Sequence, residues 1–124
     1  MVFKFNLATG KLLATYASDV KNSIFGDLVL DQQGNVFVSD SRNNIIFKVN
    51  QASQKLDTYF ESPEFSNIQG ITFSDDGKTL FISDYIKGVF RLDVKTKQLK
   101  AISCRLDVSM KGIDGLTFYR NSLL

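Results

Sequence analysis

No histidine occurs in these 124 residues, so every proton shuttle or zinc centre that depends on imidazole is excluded. Any catalysis has to draw on carboxylates, lysines, tyrosines or hydroxyls. The acidic triplet region Asp75-Asp76-Gly77 invites comparison with a calcium loop. It lacks the alternating ligands and terminal glutamate of such a loop, and a hairpin turn accounts for it better. Asp40 and Asp84 close the phrases GNVFVSD and GKTLFISD and lie 44 positions apart. A carboxylate repeated in that way points to a shared structural task, such as holding the turn that follows the strand. Cys104, the single cysteine, has no histidine to activate it and reads as a small core or edge residue. Tyr85 and Tyr119 are aromatics in β-type sequence and need no chemical role.

The elements that must position these groups are repetitive. IIFKVN and VFRLD follow the two phrases, with Asn50 and Asp93 separated by 43 positions. VFKFN at the start places Phe3 44 positions before Phe47, and Gly115-Leu116-Thr117-Phe118 echoes Gly70-Ile71-Thr72-Phe73 at an offset of 45. LATGKLLATY, QASQKLDTYF and VKTKQLKAIS share a turn followed by Lys or Gln and Leu. A period of this size, built from short Val/Ile/Phe/Leu runs between Gly, Asn, Asp and Ser turns, predicts four-stranded antiparallel units of the β-propeller type. Strands are expected at 27–31, 35–40, 45–50 and 55–60, then at 70–74, 79–84, 88–93 and 98–103. Gly34 and Gly77 supply the positive φ of two tight turns.

The expected class is therefore all-β: a β-propeller fragment with two complete blades, 25–67 and 68–112. Residues 1–24 supply the outer strands of a preceding blade and 113–124 the inner strands of a following one, all within a single partial domain. Two such copies would complete each other's half blades and give a six-bladed homodimer.

Composition sets the remaining bounds. Charged residues make up 23% and the net charge is +2, with both signs interspersed, which disfavours nucleic acid as a partner. No window resembles a signal peptide or a membrane span, so the chain as given reads as soluble. Lys48 with Arg91, and Lys55 with Gln98, are equivalent pairs expected on solvated outer surfaces.

GDLVLDQQGNVFVSDSRNNIIFKVN resembles an NHL-type repeat, while QGITFSDDGKTLFISDYIKGVFRLD and IDGLTF resemble the senescence-marker-protein and gluconolactonase-like propellers. That resemblance implies a six-bladed parent. In its lactonase members it also implies a divalent cation, usually calcium, at the channel mouth, polarising a lactone carbonyl for water attack. The family's Asp-Gly motif matches Asp114 in Ile113-Asp114-Gly115-Leu116, making Asp114 the candidate metal ligand and catalytic base. Its Asn-Gly motif falls on Gln69-Gly70, giving Gln69 as a second candidate ligand, and the position one blade earlier falls on Gly26, which has no side chain. The family's glutamate has no counterpart. Two functions follow as expectations: a metal-assisted lactone or ester hydrolase, or a noncatalytic propeller that binds a small molecule or protein at the channel mouth.

Overall fold

A computed structural model describes residues 1–105 and 108–124. The described chain is all-β, without helix, and its sheets are antiparallel meanders in which consecutive strands pair. It begins with a hairpin, β1 (Val2–Phe5) and β2 (Leu12–Tyr16). The first four-stranded sheet follows as β3 (Phe25–Leu30), β4 (Val36–Asp40), β5 (Ile45–Asn50) and β6 (Lys55–Glu61). The second is β7 (Ile68–Phe73), β8 (Thr79–Asp84), β9 (Gly88–Asp93) and β10 (Leu99–Ala101). A short hairpin, β11 (Phe118–Tyr119) and β12 (Ser122–Leu123), ends the described chain. No sheet closes on itself among the described residues.

Three of the hairpins are built from one local device. Asn6 Oδ1 accepts hydrogen bonds from the amides of Ala8 and Thr9, Asn50 Oδ1 from Ala52 and Ser53, and Asp93 Oδ1 from Lys95 and Thr96. Four residues after each lies a left-handed residue: Gly10 at φ 67°, Gln54 at φ 55° and Lys97 at φ 60°. The side-chain oxygen satisfies amides that the turn would otherwise leave open, and this compensates for placing Gln and Lys where glycine is preferred. Gly34 and Gly77 have φ of 78° and 67°, as the two turns between first and second strands require. The acidic stretch at 75–77 is such a turn, with Asp76 Oδ1 accepting from Ser74 Oγ and the Lys78 amide.

Alternation along the strands sends side chains to opposite faces, and each face of the first sheet meets a neighbour. One face, with Phe37 and Ile46, packs on Ile71, Leu80, Ile82, Phe90 and Leu92 of the second sheet. Within that core Phe37 meets Tyr59 and Phe73 edge to face, with ring centroids 4.8 Å and 5.1 Å apart. The other face, with Val38, Phe47 and Val49, receives Val2, Ala14 and Tyr16 of the first hairpin. On the far side of the second sheet Phe118 stacks on Phe81 at 5.6 Å. Burial of each such Ile, Leu or Phe contributes roughly 1.5–3 kcal/mol, so these layers dominate the stability of the stack.

All eight expected strands match observed ones within two residues at each end, the last being the shortest, at Leu99–Ala101. The first strands, β3 and β7, start two residues early because each carries an irregularity, between Phe25 and Leu28 and between Ile68 and Ile71. Such a bulge interrupts alternation, the signal by which a strand is recognised. Of Gly115-Leu116-Thr117-Phe118 only Phe118 lies in a strand. Cys104 is exposed rather than in the core, with its Sγ 2.9 Å from the Val108 carbonyl oxygen.

Candidate functional site

The beginnings of β3 and β7 and the segment 113–117 converge, and their glycines permit the approach. A Cβ at Gly70 would lie 2.7 Å from the Leu116 amide nitrogen, and one at Gly26 would lie 3.1 Å from Ser39 Oγ and 3.3 Å from Gln69 Oε1. Gly26 is thus bare because the Gln69 amide and the Ser39 hydroxyl occupy the neighbouring space. Ser39 ties the sheets together, accepting from the Asp27 amide at 2.9 Å and donating to the Gln69 carbonyl at 2.6 Å. Ser83, its counterpart in the second sheet, accepts from the Gly70 amide at 2.8 Å.

Beside this convergence lies an open cleft of about 540 Å³. Among the described residues Asp27 and Asp114 line it as carboxylates, with Thr72 and Thr117 as hydroxyls and Leu28, Val29 and Ile71 as apolar wall. Asp114 is exposed there. Asp27 is half-buried, and its Oδ2 accepts from the Ile71 amide at 3.0 Å while Oδ1 accepts from the Leu28 amide at 2.8 Å. The bond to Ile71 spans 44 residues and ties the first sheet to the second.

Asp27 was not singled out by its motif, although a signal existed. In the repeat Gly26-Asp27, Gln69-Gly70 and Asp114-Gly115 are equivalent pairs, and Asp27 is a carboxylate at a position that is otherwise glycine. Gln69, the other expected ligand, directs its Nε2 to Asn67 Oδ1 and does not line the cleft beside Asp114. Gly26 offers no donor. Among the described residues no group of three His, Cys, Asp or Glu side chains assembles a metal site. Of the two ligands that the family resemblance implies, Asp114 lines this cleft and Gln69 does not.

The repeated Asp40 and Asp84 have a defined structural task. Both are fully buried, at 0% exposure. Asp84 Oδ2 accepts from the amides of Ser66 and Asn67, at 2.6 Å and 2.9 Å, and Oδ1 from those of Ile86 and Lys87, at 3.0 Å and 2.9 Å. Asp40 Oδ1 accepts from the amides of Ile24, Arg42 and Asn43, and its Oδ2 from Asn43 Nδ2. Each carboxylate clamps the entry to its sheet's first strand onto the turn after its second. Burial pushes both acids up, but the bonds from these amides, and from side chains at Asp40, outweigh it and hold both below the usual carboxylate value.

The outer margin is less solvated than its charge pattern predicts. Lys48 is half-buried with Nζ 5.6 Å from the Phe37 ring centroid, and Lys97 Nζ sits 3.1 Å above the Tyr59 ring. Burial lowers the Lys97 ammonium's pKa, with the nearby Lys48 charge adding to the effect. Burial also raises the Tyr59 phenol, followed by the influence of Asp31. Arg91 and Gln98 are exposed, as is Lys55, which pairs with Asp19 at 2.8 Å. Tyr85 and Tyr119 are exposed.

No protein-family model matches this chain, and no curated protein matches it.

Proposed function

We propose that the chain is a section of a β-propeller, of the kind built from NHL-type and gluconolactonase-like repeats, and that it serves as a noncatalytic binding scaffold. Face-to-face stacking of four-stranded meanders whose first strands converge on glycines supports the architecture. The cleft at that convergence is the binding site. The observation that carries this reading is the pair of carboxylates, Asp27 and Asp114, set against the apolar wall of Leu28, Val29 and Ile71. A cationic head on an apolar stem, such as a lysine or arginine side chain of a partner protein, complements that combination.

The test is titration of the chain with fluorescent peptides containing single Lys or Arg residues, compared with neutral controls. Replacing Asp114 by Ala removes a charge-assisted hydrogen bond, worth about 1.5–3 kcal/mol, and weakens binding by about 10- to 100-fold. Equal binding of basic and neutral peptides refutes the reading.

A second reading, a metal-assisted hydrolase of lactones or esters, draws on the exposed position of Asp114 in the same cleft. Calcium-dependent lactone hydrolysis that is lost in Asp114→Ala would favour it over the scaffold.

A further inference from the structure

The two ends of the stack are complementary halves of the interface that already joins the two sheets. In that interface Phe37 of the first sheet lies beneath Phe73, Leu80, Phe90 and Leu92 of the second. Phe81 is the equivalent of Phe37, and Phe118 is the equivalent of Phe73. Phe118 stacks on Phe81, but the rest of the cover is missing, and open clefts of about 350 Å³ and 310 Å³ border Phe81. Thr79, Arg91 and Ala101 line this uncovered face.

The missing cover stands at the other end. Phe3 and Phe5 occupy the repeat places of Phe90 and Leu92, yet they are 53% and 55% exposed, side by side with centroids 6.4 Å apart. Their hairpin uses its opposite face, Val2 and Tyr16, to pack on the first sheet, as an outer strand pair does within a complete unit. Backbone edges match as well. Among the described residues β1 pairs only with β2, and β12 only with β11, whereas β4 pairs with β5 and β8 with β9.

We infer that two copies of this chain associate about a two-fold axis. β12 of each pairs antiparallel with β1 of the other, and Phe3 and Phe5 of each cover the Phe81 face of the other. Each composite sheet has the order β11-β12-β1-β2, and both open edges of the pair are removed at once. The occupant is a second copy because the interface repeats the contact between the first and second sheets at equivalent places, with Phe81, Phe118, Leu123 and Phe3 for Phe37, Phe73, Leu80 and Phe90, and Phe5 for Leu92. In the second sheet Leu80 lies opposite Leu92, and by the repeat Leu123 lies opposite Phe5 of the other copy. Only the closure into six sheets rests on the propeller reading; the pairing rests on the edges and faces themselves.

The experiment is sedimentation equilibrium on the 124-residue chain, with cysteine cross-linking of the predicted register. The expected mass is twice 13.9 kDa. Phe3→Asp with Phe5→Asp, both at exposed positions, weakens the dimer by roughly 30-fold or more, the scale of losing an aromatic anchor. In a Cys104→Ser background, Phe5→Cys with Leu123→Cys gives a disulfide-linked dimer on mild oxidation, because opposed strand residues meet the Cα spacing that a disulfide needs. A monomer at micromolar concentrations overturns the association. A dimer that resists this cross-link overturns the pairing. Cross-linked species larger than a dimer overturn two-copy closure while leaving the scaffold reading to its own peptide test.

Discussion

Replacing Asp84 by Ala removes the acceptor of four backbone amides in a fully buried position. Bonds to a charged acceptor are worth about 1.5–3 kcal/mol each, so simple addition gives about 6–12 kcal/mol. That sum rivals the whole stability of a typical domain, about 5–15 kcal/mol, and such bonds are not additive. Ile86 and Lys87 are exposed, so water can reach their turn once the carboxylate is gone, whereas Ser66 and Asn67 are half-buried. Two of the four amides then carry most of the cost, and the expected destabilisation is about 3–4 kcal/mol. For a chain of this size that corresponds to a fall in Tm of roughly 10–15 °C. Urea denaturation followed by far-ultraviolet circular dichroism measures it, since there is no tryptophan to report by fluorescence. Asp84→Asn also loses stability, because the amide keeps one acceptor oxygen and turns donors towards other donors. A loss below about 1 kcal/mol for Asp84→Ala refutes the clamp.

The same clamp gives a pH dependence with a definite sign. The folded carboxyls of Asp40 and Asp84 lie below their unfolded values. Their contribution is fully present above the unfolded carboxylate range, near pH 4, and is lost as pH falls through the folded values. The urea midpoint of the wild-type chain should therefore drop between about pH 5 and pH 2, and Asp84→Asn should show a shallower fall. Gly70→Ala forces a Cβ against the backbone of Leu116 and should cost about 1–3 kcal/mol, whereas Gly115→Ala, with nothing within 4 Å, should change thermal stability little. Phe37→Ala empties the centre of the intersheet core and should cost about 3–5 kcal/mol by the same urea titration, well above the cost of Phe81→Ala at the half-covered repeat.

Much of the fold was legible because the sequence repeats its turn chemistry. Asn50 and Asp93, and the aspartates that close β4 and β8, recur at one spacing and do the same work each time. The first strands of the two four-stranded sheets were harder to delimit. Their bulges break the two-residue alternation, and residues 113–117 follow the motif without joining a strand. The site was less legible still. A motif match selected Asp114 and Gln69, but the Gln69 amide is turned to Asn67. The carboxylate that shares the cleft with Asp114 is Asp27, visible only as a departure from the glycine that the repeat has at Gly70 and Gly115. A motif marks a position along a strand, whereas the neighbours of a side chain depend on contacts that cross from sheet to sheet.

The two aspartate clamps also bear on the order in which the chain folds. Asp40 reaches back 16 residues to Ile24, and Asp84 reaches back 17 and 18 residues to Asn67 and Ser66, whereas the carboxylate tie between the sheets spans 44. Short loops close at a lower entropic cost and sooner than long ones. As the chain leaves the ribosome, the entry and turn of the first sheet can lock before β7 has been synthesised. Each clamp is thus a contact local to its own sheet, whereas the tie from Asp27 to Ile71 has to wait for the next one.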